Sequence, residues 1–379
     1  MKWEKVKLGD ICKYVTSGGT PKSSIKEYYE PKQIPWLKTK EVNYCRIYET
    51  ESYISKDGLD NSSAKMIPQN SVIVAMYGQG DTAGRVAINK IPLTTNQACC
   101  NLIIDETKAY YEFVYYQLVT LYEKMVSLKN GGAQPNLNAA IIKSIEIKLP
   151  PLKTQRYIAD ILSSYDNLIE NNQKQIKLLE EAAQRIYKEW FVDLRFPGHE
   201  NTKIVDGVPE GWSRGLLKEL ISVNYGKDHK KAPDDGNIPV YGSGGLMRKC
   251  NKSLFSGEAV LIPRKGSLNN IMYVDETFWT VDTMFYATMK QPHTVVFVYF
   301  FVKAFDMYSM NIGAAVPSMT AKILDAMDVV IPDKETLEKF DKLTKTYFNK
   351  IKTLQGQNER LKIARDLLLA KLMSGEVEV

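Results

Sequence analysis

Residues 168–191 read LIENNQKQIKLLEEAAQRIYKEWF. The stretch has no proline or glycine, and its apolar residues return in steps of four and three, so it reads as an amphipathic helix. Extended toward the N-terminus, the steps fall on positions 158, 162, 165, 169, 172, 176, 179, 183, 186 and 190. These hold Ile, Leu, Tyr, Ile, Asn, Ile, Leu, Ala, Ile and Trp, a heptad seam interrupted once by Asn172. Taken alone, such a helix covers the face of one domain. A seam of more than thirty residues is too long for one small domain and calls for a second long helix.

That helix is found by sliding the chain 182 residues along itself without a gap. GGAQPNLNAAIIKSIEIKLPP falls on GAAVPSMTAKILDAMDVVIPD, with Pro135 on Pro317, Ala139 on Ala321, Ile141 on Ile323 and Pro150 on Pro332. The register continues through Tyr165/Tyr347, Asn167/Asn349, Ile169/Ile351, Leu179/Leu361 and Ala182/Ala364. The second seam is Phe340, Thr344, Tyr347, Ile351, Leu354, Asn358, Leu361, Arg365, Leu368 and Leu372. It too carries one asparagine, a residue that pins register at a cost in stability if buried and costs little at the solvent edge of a seam. Gly356 and Arg365 fall near or on this seam and point to looser packing there. Each helix follows a strand-like segment ending in proline, SIEIKLPP or AMDVVIPD, and Pro197 and Gly198 stop the first. Helices of this length run about 55 Å at roughly 1.5 Å per residue.

The expected architecture is therefore two mixed α/β domains, one a duplicate of the other, separated by two long antiparallel coiled-coil helices in a cyclic, pseudo-twofold repeat. The boundaries are 1–150 for the first domain, 151–195 for the first helix, 196–332 for the second domain and 333–379 for the second helix. The domains echo each other with gaps: KWEKVKLGDI resembles GWSRGLLKEL, QIPWLKTK resembles NIPVYGSGG, and SVIVAMYGQGDTAG resembles EAVLIPRKGSLNN.

The 379 residues, 44% hydrophobic and 25% charged, suffice for more than one core. The most apolar run, TVVFVYFFVKAF from Thr294, is too short to span a bilayer, which takes roughly 20 apolar residues, and reads as a buried core helix. MKWEKVKLGD lacks the apolar centre of a signal peptide, so a cytoplasmic location is the expectation. Five cysteines without a CxxC pair and three scattered histidines suggest neither a disulfide framework nor a metal site. A net charge of +6 permits nucleic acid without demanding it.

The loops combine glycine, hydroxyls, amides and base: SGGTPKSS, LKTKEV, MYGQGDTAGR, VNYGKDHKK, YGSGGLMRK and PRKGSLNN. Glycine lets the backbone approach a phosphate, Lys and Arg neutralise it, and Asn, Gln, Ser and Arg read base edges. The same residues also make ordinary turns. The candidate DNA contacts are Lys38, Thr39, Lys40, Tyr77, Gln79 and Arg85 in the first domain and Lys227, Ser243, Arg264, Lys265, Ser267 and Asn269 in the second. Their weight comes from recurrence, with Lys38 and Lys40 in one domain set against Arg264 and Lys265 in the other. No catalytic, cofactor-binding or metal-binding residues are identified. YGKDHKK lacks the GK[ST] ending of a P-loop, no strand runs into GxGxxG, and no NPPY-like or DPPY-like tetrapeptide occurs.

Four stretches, LPPLKTQRYIADIL, RIYKEWFVDLRFPGHEN with the following GVPEGW, and the terminal ARDLLLAKLMSGEVEV, resemble the specificity subunits of type I restriction-modification enzymes. The resemblance covers the whole chain. It implies a non-catalytic reader of double-stranded DNA in which each target recognition domain reads half of a bipartite site and the helices act as a ruler. It also implies two methylation subunits as partners, with restriction or motor subunits in the full complex. S-adenosylmethionine, ATP and magnesium are then expected on those partners and none on this chain. The alternatives are a stand-alone methyltransferase or nuclease with a coiled-coil insert, and a scaffold that does not bind DNA.

Overall fold

The computed structural model describes residues 3–129, 136–311 and 317–377. The GGAQP and GAAV starts of the two repeat copies, Pro135 among them, lie outside these residues. The chain divides into two units, Met1–Asn171 with Gln357–Val379, and Asn172–Gly356. Each unit thus joins a globular part to the first stretch of one long helix and the last stretch of the other.

In the first unit the strands are β1 (Glu4–Lys7), β2 (Cys12–Ser17), β3 (Ile34–Leu37), β4 (Cys45–Ile47), β5 (Tyr53–Ile54), β6 (Val72–Ala75), β7 (Val86–Asn89), β8 (Thr94–Thr95), β9 (Cys99–Ile104) and β10 (Glu146–Leu149). The helices are α1 (Lys56–Asp60), α2 (Tyr111–Thr120), α3 (Tyr122–Ser127), α4 (Ala139–Ser144) and α5 (Leu152–Tyr187). A five-stranded sheet has the order β2-β9-β6-β7-β4, a three-stranded sheet the order β5-β3-β8, and β1 pairs with β10. VIVA of β6 and CCNLII of β9 are buried at every residue. Such unalternating apolar runs belong to strands covered on both faces. Val72, Val74, Leu102 and Ile104 share one core with Phe113 and Val114 of α2.

The second unit holds β11 (Ile204–Val205), β12 (Val208–Pro209), β13 (Ser213–Leu216), β14 (Ile221–Tyr225), β15 (Ile238–Gly242), β16 (Gly245–Cys250), β17 (Phe255–Pro263), β18 (Met272–Thr280), β19 (Met284–Met289) and β20 (Asp328–Ile331). Its helices are α6 (Val295–Lys303), α7 (Ala321–Asp325) and α8 (Lys334–Ser374). A six-stranded sheet runs β14-β19-β17-β18-β15-β16, while β13 pairs with β20 as β1 does with β10. The apolar run from Thr294 is α6, buried among the core residues of this unit as its composition requires.

Each seam position on α5 and α8 is buried or half-buried, whereas Leu168, Leu178, Ile363 and Leu367, off the seams, are more than half exposed. In the first unit Ile158, Ala159 and Leu162 share a core with Leu369, Leu372 and Met373. Arg365 Nη1 meets Asp166 Oδ1 at 2.5 Å, and Asn358 Nδ2 donates to Ile169 O at 3.4 Å. Rising numbers on α5 therefore meet falling numbers on α8, an antiparallel pair. In the second unit Ala183 and Tyr187 share a core with Leu337 and Phe340, again antiparallel. Asn172 and Asn358 are both buried, so neither sits at the solvent edge. Arg365 is held at its seam position by the Asp166 carboxylate.

Asp333 caps α8. Its carboxylate accepts from Thr336 N (2.9 Å), Thr336 Oγ1 (2.8 Å) and Trp212 Nε1 (2.8 Å). Burial alone would raise its pKa, but these hydrogen bonds outweigh it and hold the group below its ordinary 3.8. Asp333→Ala should cost about 1 kcal/mol at neutral pH. Because the folded pKa is depressed, the contribution is full above the ordinary carboxylate range and is lost as pH falls through the folded value. Urea unfolding of the two proteins at pH 7 and pH 3 should show the gap narrowing in acid; an equal gap at both would contradict the cap.

Candidate nucleic-acid interface

One turn organises the loops of each unit. In the first it lies between β8 and β9, in the second between β18 and β19. Gly18 N donates to Cys99 O (3.2 Å), Gly19 N to Thr95 O (2.8 Å), Asn96 N to Leu37 O (2.9 Å) and Met76 N to Ala98 O (2.8 Å). Cys99 N closes the turn on Asn96 O (3.1 Å), and Leu137 N returns to Met76 O (3.0 Å). The second unit repeats all six bonds: Gly226 N to Met284 O (3.0 Å), Lys227 N to Thr280 O (2.9 Å), Val281 N to Tyr241 O (3.0 Å), Arg264 N to Thr283 O (2.8 Å), Met284 N to Val281 O (3.0 Å) and Met319 N to Arg264 O (2.9 Å). Gly18 and Gly226 stand where the strand end meets the turn. A Cβ there would lie 2.2 Å from Thr95 O or 2.0 Å from Val281 O, so only glycine fits.

These bonds equate Gly19 with Lys227, Leu37 with Tyr241, Met76 with Arg264 and Thr95 with Thr280. Counting along from them, Thr39 matches Ser243, Tyr77 matches Lys265 and Gln79 matches Ser267. Six of the candidate residues therefore fall at three equivalent places. Lys38 and Lys40, however, stand on the loop after β3, and Arg264 and Lys265 on the loop after β17, the counterpart of β6, so the two basic pairs do not occupy equivalent positions.

In the first unit Lys40 and Gln79 are exposed, Lys38, Tyr77 and Arg85 are half-buried, and Thr39 is buried. Lys38 Nζ lies 5.0 Å from the Trp36 ring centroid, and Lys40 Nζ pairs with Glu51. Arg85 donates to Asn43 Oδ1 (2.9 Å) and Asp81 Oδ1 (2.5 Å), and the Asp81 hydrogen bond holds its pKa above the ordinary value. Burial raises the Tyr77 phenol. In the second unit Lys227, Lys265, Ser267 and Asn269 are exposed. The Arg264 guanidinium lies 5.4 Å from the Tyr225 ring centroid. Asn270 Nδ2 donates to Ser243 O at 2.9 Å, which ties the β15–β16 hairpin to the Arg264–Asn269 loop.

Not every candidate is free for a ligand. The Asn269 amide is engaged within the fold, accepting from Met307 N (2.8 Å) and donating to Asp306 Oδ1 (3.0 Å). The arrangement leaves Lys227 and Lys265 as exposed charge and Gln79 and Ser267 as exposed groups that donate and accept, the combination that grips phosphates and reads base edges. Tyr225, more than half exposed beneath Arg264, went unnoticed in the sequence, although it lies inside VNYGKDHKK. Among the described residues no group of three His, Cys, Asp or Glu side chains is placed to hold a metal ion.

The duplicated domain has a counterpart among known families. The model of the type I restriction modification DNA specificity domain matches residues 1–181 and again 209–362. The chain belongs to this family. It carries two copies of the family's DNA-recognition domain, one per unit. It is similar to the type I restriction enzyme MjaIX specificity subunit of Methanocaldococcus jannaschii, 28% identical over 100% of this chain and 94% of that protein. Half of the chain (50%) is 28% identical to the EcoR124I/EcoR124II specificity subunit of Escherichia coli, covering 47% of that protein. The fold is that of the type I restriction-modification S subunit from M. genitalium, with a TM-score of 0.62 at 18% identity over 98% of this chain and 96% of that one. Specificity subunits are components of type I restriction-modification systems, and this chain is one of them. Among the described residues no helix is long and apolar enough to cross a membrane.

Proposed function

We propose that each unit reads one half of a bipartite double-stranded DNA site and that α5 and α8 set the distance between the halves. The observation that carries this is the pair of matching turns, each gathering the same loops. Helices of 36 and 41 residues are about 54 and 62 Å long, ample for reading heads one helical turn of B-DNA apart, roughly 34 to 36 Å. In this reading Lys38, Lys40, Arg85, Lys227, Arg264 and Lys265 grip phosphates, while Tyr77, Gln79, Ser243 and Ser267 lie toward the bases and the buried Thr39 and the engaged Asn269 amide shape the loops that carry them. The chain is non-catalytic and recruits two methylation subunits, with restriction subunits joining when the system cleaves. The methylation subunits hold S-adenosylmethionine for transfer to adenine N6, and ATP and magnesium serve the restriction subunits.

Native DNA from the source cell, sequenced by long reads, should carry N6-methyladenine in one two-part motif with a fixed spacer. The purified chain alone should not methylate DNA; if it does, the stand-alone methyltransferase is correct. Within the complex, Arg264→Ala with Lys265→Ala should weaken DNA binding. If both grip phosphates, the slope of log affinity against log salt should shrink by about two units. Unchanged affinity, slope and motif would reduce this loop to an ordinary turn.

A further inference from the structure

The tip of the shared turn contains two residues that the loop compositions did not single out. With Met76 equated to Arg264 through the bonds to Ala98 O and Thr283 O, and Asn96 to Val281 through those to Leu37 O and Tyr241 O, Gln97 stands in the first unit where Asp282 stands in the second. Both are exposed, although the residues on either side of them are buried or half-buried.

Each tip lies between the loops that carry the candidate contacts. Asn96 N is bonded to the residue before Lys38, and Ala98 O to the residue before Tyr77. Asp282 has Arg264 Nη1 on its own carbonyl oxygen at 3.4 Å, and Arg264 N and Lys265 N both reach Thr283 O. Gln97 Oε1 accepts from Thr20 Oγ1, which orients the amide; the oxygen has a second lone pair to offer and the NH2 group two donors. Asp282 is the more telling case. A carboxylate beside two basic residues on a surface that meets phosphates would repel the backbone, and it is tolerated if its oxygens meet donors on a base edge.

We propose that Gln97 and Asp282 are equivalent specificity-determining residues, Gln97 pairing with adenine through its N7 and N6 and Asp282 accepting from the N4 amino group of cytosine. These are the pairings that the geometry of amide and carboxylate selects in the major groove. The inference rests on the DNA-reading function proposed above and adds to it the base chemistry of each unit.

The test uses the full chain in its methylating complex, expressed in cells with a plasmid library of randomised sites read by long-read detection of N6-methyladenine. Asp282→Gln should relax or change one base pair in one half of the motif, and Gln97→Asp one base pair in the other. The loss of discrimination at that pair should be roughly 5- to 150-fold. Loss of all methylation from an assembled complex with unchanged thermal stability would also place these residues at the DNA. The proposal is overturned if both variants keep the complete motif at wild-type discrimination while the Arg264 and Lys265 double variant weakens methylation in the same assay. If the wild-type complex yields no two-part motif, the fault lies in the DNA-reading function itself.

Discussion

Exchanging residues 1–150 for the same segment of a relative should replace one half of the methylated motif and leave the other half and the spacer unchanged. The expectation follows from the division of the chain, since each unit has its own sheet, core and turn. The exchanged segment must still dock on α5. Tyr116 donates to Asp166 Oδ2 at 2.5 Å, Tyr48 donates to Glu170 Oε2 at 3.0 Å, and the backbone N of Tyr110 donates to Gln155 Oε1 at 2.8 Å. A donor segment without a tyrosine at the place of Tyr116 would leave Asp166 short of one partner and should give a less stable hybrid. Long-read sequencing of DNA from cells carrying the hybrid reads the outcome directly. A change in both halves, or in neither, would end the picture of independent readers.

How much of this could be read beforehand depended on spacing. The long helices were legible because their seams obey a gapless repeat, and every predicted seam position is buried or half-buried. The echo between QIPWLKTK and NIPVYGSGG was legible too: β3 and β15 are its structural outcome, each running parallel to the strand before the turn. The turn itself was hidden. TTNQACC and WTVDTMF share one threonine, and what they have in common is a set of backbone hydrogen bonds that any side chain permits. Glycine and lysine drew attention to the loops, but those residues mark where a chain bends and where it is wet. Thr39 is buried and Asn269 is spent on Met307 and Asp306, distinctions that composition does not contain.

The ionic contacts between the first recognition domain and α5 were equally invisible, because they join residues more than a hundred positions apart. Arg46, on β4, has a side chain only 6% exposed. Its guanidinium donates to Asn167 Oδ1 at 2.5 Å and lies 3.6 Å from both Glu112 Oε1 and Glu170 Oε1. Burial works against its charge, and the nearby acidic groups outweigh that and raise its pKa. Replacing Arg46 with Met keeps most of the volume but removes the cation. Glu112 retains Lys90 Nζ at 3.1 Å, whereas Glu170 loses this cation and keeps the Tyr48 hydroxyl. Breaking one side of such a buried network should cost about 3 to 5 kcal/mol, far more than the net worth of the pairs themselves. Hydrogen exchange should show the loss in β6 and β9, with the second unit unaffected. Adding Glu170→Gln to Arg46→Met removes the stranded charge, while Glu112 keeps its Lys90 partner, and should recover part of the stability. If the double variant is no more stable than Arg46→Met, the cost lies in packing around the arginine stem and not in uncompensated charge.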